Sequence, residues 1–92
     1  MKKLRNKDVD RLFEAILTLN TVEECYTFFE DACTIKEIVE ISQRLKAAKM
    51  LRDGVNYVDI SKETGMSTAT ISRVSKALEN GEGYKLVIER AK

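Results

Sequence analysis

Residues 57–76 read YVDISKETGMSTATISRVSK, and this stretch decides the fold. Tyr57 to Thr64 suits a short helix, with Tyr57, Ile60, Ser61 and Thr64 along one side. Gly65 can adopt the left-handed conformation that turns a chain sharply. Met66 is apolar and fits as a plug for the corner. Ser67 is a good N-cap for a second helix, in which Ile71, Val74 and Leu78 share one face. Opposite them stand Thr68, Ala69, Ser72, Arg73 and Lys76, which are small, hydrogen-bonding or basic. This is the pattern of a helix-turn-helix whose second helix enters a major groove to meet base edges and phosphates.

Working outward, the break after this unit is Asn80-Gly81-Glu82-Gly83, followed by an apolar set at Tyr84, Val87, Ile88 and Ala91. A segment so short is helical only if docked. Upstream, Thr34-Ile-Lys-Glu37 has the form of a capping box, and the helix it opens extends to about Arg52, stopping near Gly54. Ile35, Ile38, Ile41 and Leu45 occupy one side of that helix. Beyond Arg44 the apolar set becomes Ala47, Ala48, Met50 and Leu51, centred on nearly the opposite side. A helix whose buried face changes sides packs on different neighbours at its two ends. The first half is expected against N-terminal helices or a partner subunit, the second under the helix-turn-helix. Lys46, Lys49 and Arg52 share the polar edge of that second half, where a solvated face and a phosphate-contacting flank are equally compatible with the pattern.

Two further helices precede it. One covers about residues 7–19, with Val9, Leu12, Phe13, Ile16 and Leu17 in a stripe. The other begins at a capping box, Thr21-Val-Glu-Glu24, and places Val22, Cys25, Phe29 and Ala32 on one face. Asn56 can cap the first helix of the helix-turn-helix. The expectation is a single all-α domain over residues 1–92 with six helices: dimerisation helices over about 7–53, the helix-turn-helix over about 57–79, and a C-terminal helix over about 84–91.

Composition agrees. The chain has 92 residues, no proline and only four glycines, so few helix breaks are available. A domain this small buries a modest share of its surface, which makes oligomerisation a natural source of stability. The net charge is +1, but residues 1–43 carry −3 and residues 44–92 carry +4, so positive charge gathers in the half that holds the helix-turn-helix. No apolar run is long enough for a membrane span. The start, MKKLRNKDVDRLF, lacks the apolar core of a secretory signal, so the expected location is the cytoplasm. Cys25 and Cys33 read as small buried hydrophobes rather than a disulfide. With histidine absent, two cysteines cannot complete a zinc site. No catalytic constellation or phosphate-binding loop is visible, so no enzyme activity, metal or cofactor is expected.

Over most of its length, and most strongly over residues 34–78, the chain resembles the tryptophan repressor (TrpR) superfamily, specifically its TrpR-like YerC/YecD group. The resemblance is carried by Thr34, Arg44, Leu51-Arg-Asp-Gly54, Gly65 and above all Ala69-Thr-Ile-Ser-Arg73. It implies six helices in an interlocked homodimer, with recognition helices presented to successive major grooves roughly 34 Å apart. It implies base-edge contacts from Thr68, Ala69 and Ser72, some through water, with Tyr57, Ser61 and Lys76 near phosphates. Together with Ser67, Thr70 and Arg73 these form the expected interface with double-stranded DNA.

In that family two arginines stack on either side of a tryptophan corepressor, and Arg44 and Arg73 match them. Thr34, Val74 and Ala77 match further positions of this candidate effector pocket. Val74 stands where the repressor has glycine, so its methyls intrude on the indole. Ala77 replaces a serine, and Asp31 and Cys33 replace leucines; a charge near an apolar ligand is costly unless paired. Arg44 can instead pair with Glu40 or Asp31. The resulting expectation is a sequence-specific, dimeric regulator of transcription, a repressor by resemblance, that does not respond to tryptophan and whose effector the sequence leaves unidentified. The alternative is a helical module whose helix-turn-helix meets protein rather than DNA.

Overall fold

The computed structural model describes residues 5–91, among which there are six α-helices and no strand. They are α1 (Lys7–Ile16), α2 (Val22–Ala32), α3 (Ile35–Arg52), α4 (Tyr57–Thr64), α5 (Thr68–Asn80) and α6 (Gly83–Arg90). The order and type of all six match the sequence reading. None is long and apolar enough to cross a membrane. The chain divides into two compact units, one ending at Ile35 and the other starting at Lys36.

In the first unit the caps explain the helix limits. The Asn6 side chain accepts a hydrogen bond from the Val9 amide at 2.9 Å, starting α1. The helix stops at Ile16, short of the expected residue 19. Here the amides of Thr18 and Leu19 each bond three residues back, to Ala15 and Ile16, and the Thr18 hydroxyl donates to the same Ala15 carbonyl at 2.6 Å. That tightening converts the last turn to 3₁₀-type bonding and ends the helix.

At α2 the Thr21 hydroxyl caps the Glu24 amide at 3.0 Å. The Glu24 carboxylate reaches back to the Asn20 amide at 2.8 Å, one residue before the amide that a capping box engages. Phe28 and Phe29 meet edge to face with centroids 5.1 Å apart. Neither α1 nor α2 contains a buried residue. Cys25 is exposed and Cys33 half-buried, both as free thiols; the buried-hydrophobe reading therefore fails for Cys25, because the face of α2 that carries it is uncovered in the single chain.

The second unit holds the core. Ala47 and Ala48 of α3, Ile60 of α4, Ile71 and Val74 of α5 and Ile88 of α6 are its buried residues. Leu45, Met50, Leu51, Val55, Met66, Leu78 and Tyr84 pack around them half-buried. The side-switching pattern of α3 is thus realised at its second half, where two alanines, lacking bulk, let neighbouring helices approach closely. Its C-terminus closes in a Schellman arrangement: the Gly54 amide bonds Leu51 at 3.0 Å, the Val55 amide bonds Met50 at 3.0 Å, and Gly54 has φ 84°. Val55, the next residue, then drops onto the core.

The helix α6 docks through Ile88 and Tyr84, and begins at Gly83, one residue earlier than expected. An ion pair between Arg52 and Glu89 at 3.7 Å joins it to α3. Lys92, the last residue of the expected domain, lies outside the described residues, as do Met1 to Leu4 of the basic start.

Candidate nucleic-acid interface

The corner between α4 and α5 is built from side chains as much as from backbone. Asn56 caps the Asp59 amide at 2.9 Å, fixing where α4 begins. Gly65 sits at φ 73° and sends its amide to the Ser61 carbonyl at 2.8 Å. The Ser61 hydroxyl donates to the Met66 carbonyl at 2.7 Å, across the corner. The Thr64 hydroxyl donates to Ile60 at 2.7 Å and accepts from the Met66 amide at 3.2 Å. Met66 packs half-buried against the core, as its expected role of plug requires. Ser67 then caps the Thr70 amide at 3.2 Å, and its hydroxyl meets that of Thr70 at 3.0 Å. Ser61, Thr64 and Ser67 thus tie the end of α4, the turn and the start of α5 together through side-chain hydrogen bonds.

On that mount, Ile71 and Val74 point into the core, and Thr68, Ala69, Arg73 and Lys76 are exposed. Ser67 and Tyr57 are exposed beside them, and Ser72 is half-buried. Along α5 no acid occurs before Glu79, so the outward face carries only positive charge. Two of the sequence-selected residues have other tasks. Ser61 is half-buried and its one hydroxyl proton is used inside the turn, so it is not free to donate to a phosphate. Thr70 is half-buried, tied to Ser67, and lines clefts rather than the outer face.

The polar edge of α3 is settled in part by ion pairing. Lys46 reaches Glu63 of α4 at 3.4 Å and Arg52 reaches Glu89 of α6. Both pairs are partly exposed and contribute about 0–1 kcal/mol each. They leave Lys49 as the member of the edge with no ion pair among the described residues.

Arg44, Arg73, Val74 and Ala77 converge, with Thr70 and Tyr84, on a cleft of about 290 Å³. Sequence reasoning selected Thr70 for the DNA interface, not for this pocket, and did not select Tyr84 as a site residue. The only signal for Tyr84 was its place on the apolar side of the last helix. Thr34, the remaining pocket candidate, is exposed in the first unit and does not line this cleft. Val74 is only 4% exposed and belongs to the core as well as to the cleft. Arg44 forms no ion pair among the described residues; Glu40 instead meets Lys36 at 4.0 Å. A second cleft of about 300 Å³ lies on the other side of Arg44, towards Gln43, Gly65 and Met66.

Residues 7–92 match the model of the Trp repressor protein family. The chain is 53% identical over 91 residues to YerC of Bacillus subtilis (strain 168), a protein of uncharacterised function, covering 98% of this chain and 88% of that one. A solved structure of a TrpR-like protein from Eubacterium eligens ATCC 27750 superimposes with a TM-score of 0.95 at 52% identity, over 99% of this chain and 95% of the other. Another from Staphylococcus aureus gives 0.92 at 50% identity, over 98% and 91%.

Proposed function

This chain belongs to the Trp repressor family, and from that premise we propose that it is a dimeric, sequence-specific DNA-binding regulator of transcription, a repressor in mode, acting in the cytoplasm. The observation that carries the reading is the outward face of α5. Thr68, Ala69, Arg73 and Lys76 stand exposed on a helix whose opposite side is locked into the core, and the corner before it is braced by four side-chain hydrogen bonds. A rigid mount matters because base readout depends on placing donors within hydrogen-bond reach of base edges. Arg73 and Lys76 supply charge, Thr68 and Ser72 supply hydroxyls, and Ala69 offers a methyl to thymine. Tyr57 and the exposed end of Ser67 flank the phosphates. Residues 1–92 act as one functional domain in this scheme, with the N-terminal helices serving the dimer.

Fluorescence-anisotropy titration against operator-like and random duplexes at two salt concentrations tests this. Affinity should fall steeply with salt as counterions are released. Arg73→Ala and Lys76→Ala should each weaken binding by about tenfold. Absence of binding at low salt would remove the DNA reading and favour a module that meets protein through the same corner.

The corepressor of the family is not expected to be an effector here. Val74 lines the cleft where the repressor has glycine, and Ala77 offers no hydroxyl.

A further inference from the structure

We propose that Met66 is an oxidation-sensitive site: a peroxide converts its thioether to the sulfoxide, which unplugs the corner between α4 and α5 and weakens the presentation of α5. The chemistry stands on the corner alone; its consequence for regulation rests on the DNA-binding reading above.

Three observations meet at this residue. Met66 packs half-buried against the core, so its side chain holds the corner down by apolar contact. It also lines the cleft of about 300 Å³ between α3, the corner and α5, so a molecule as small as a peroxide reaches it without the core opening. Its backbone is tied on both sides: the amide donates to the Thr64 hydroxyl at 3.2 Å, and the carbonyl accepts from the Ser61 hydroxyl at 2.7 Å. The next residue, Ser67, is the N-cap of α5. A displaced Met66 side chain therefore pulls on the bonds that set the start of the recognition helix. Met50 packs half-buried against the same core but lines neither this cleft nor the one at Val74.

The step is a two-electron oxygen transfer. A sulfur lone pair attacks one oxygen of hydrogen peroxide, and the S–O bond forms as the O–O bond breaks. The other oxygen leaves as water, taking the proton of the transferred oxygen. Sulfur is oxidised and the peroxide is reduced. The product is a polar acceptor where an apolar plug stood, and a polar group in apolar packing is costly without a donor. The cleft supplies donors. Arg44 lines it, exposed and with no ion pair among the described residues, and its guanidinium offers charge-assisted hydrogen bonds. Gln43 lines it too, and its side-chain oxygen is buried with no hydrogen-bond partner. Its carboxamide can turn and present an N–H without giving up a bond at that oxygen. The oxidised side chain thus has a second resting place, out of the core and in the cleft.

The test compares the full chain with Met66→Leu and Met66→Gln before and after graded hydrogen peroxide, with peptide mass mapping to locate each added oxygen. Met66 should oxidise faster than Met50. As it does, the amide signals of Ser61, Gly65, Ser67 and Thr68 should move in ¹⁵N-edited NMR spectra recorded without DNA. DNA affinity, read by anisotropy, should fall by about tenfold, the size expected from making an apolar contact polar. Methionine sulfoxide reductase with a dithiol as reductant should restore both. Met66→Gln, polar without oxidation, should bind DNA about as weakly as the oxidised chain. Met66→Leu, a swap that conserves volume, should bind like the parent and keep its affinity after peroxide, although it retains Met1 and Met50. Oxidation of Met66 no faster than of Met50, corner amides that do not move, or a Met66→Leu chain that loses as much affinity as the parent would each overturn the proposal. If the unoxidised chain binds no DNA, the regulator reading fails, and the corner amides alone decide the assignment of Met66.

Discussion

The N-terminal helices and the C-terminal half both carry apolar stripes, and they use them in opposite ways. In α4, α5, α6 and the second half of α3 the stripes meet one another, and all six buried hydrophobic residues among the described residues lie there. In α1 and α2 nothing is buried. Phe13 is 52% exposed, Leu17 82%, Val22 71% and, at the start of α3, Ile35 80%. Amphipathic periodicity says that a face must be covered, but not by which chain. Large exposed apolar faces mark interaction surfaces, and a second copy of the chain is the cover proposed above.

That contrast can be broken at either end. The largest effect is expected at the centre of the C-terminal core. Ile71→Ala removes a fully buried side chain and should cost about 2–5 kcal/mol of unfolding free energy, measured by guanidinium denaturation. A loss under about 1 kcal/mol would show that this half does not support itself as described. Next comes the open face. Phe13→Glu would be nearly neutral on a truly solvated surface. If a second copy covers it, a buried charge should raise the dimer dissociation constant by about a hundredfold or more, roughly 3 kcal/mol. Sedimentation velocity over a range of concentrations reads this directly, and an unchanged profile would make the exposure of α1 its native condition. The smallest effect sharpens the picture at the corner. An added Cβ at Gly65 meets nothing within 4 Å, yet φ is 73°. Gly65→Ala should therefore cost about 1–2 kcal/mol from backbone conformation alone, seen as a lowered midpoint in the same denaturation experiment.

Much of the architecture was legible. Gly54 and Gly65 both occur at positive φ where the sequence reading needed a stop and a turn, because glycine, lacking a Cβ, takes that conformation at the least cost. Asn56, Ser67 and Thr21 cap their helices as their types suggest. Ile71, Val74 and Leu78 turn inward on the spacing of a helix. The site was legible in outline only. Arg44, Arg73, Val74 and Ala77 do share a cleft, but Tyr84 joins them from a helix whose docking no local pattern specifies. Thr34 does not line it.

By itself the sequence determined where the chain can turn, which side of each helix is apolar, and where positive charge accumulates, since these depend on residue type and on the 3.6-residue repeat. Only the tertiary structure decided which of those surfaces are occupied within the chain. Ser61 and Thr70 have the residue types of groove contacts, yet one hydroxyl spans the corner to Met66 and the other meets Ser67. For Lys46 and Arg52 residue type left a solvated face and a phosphate-contacting flank equally open, and the fold brings them to Glu63 and Glu89. A hydrogen bond or ion pair depends on a partner brought within about 3–4 Å by folding. Residue type sets what a side chain can bond to, and only the fold sets what it meets.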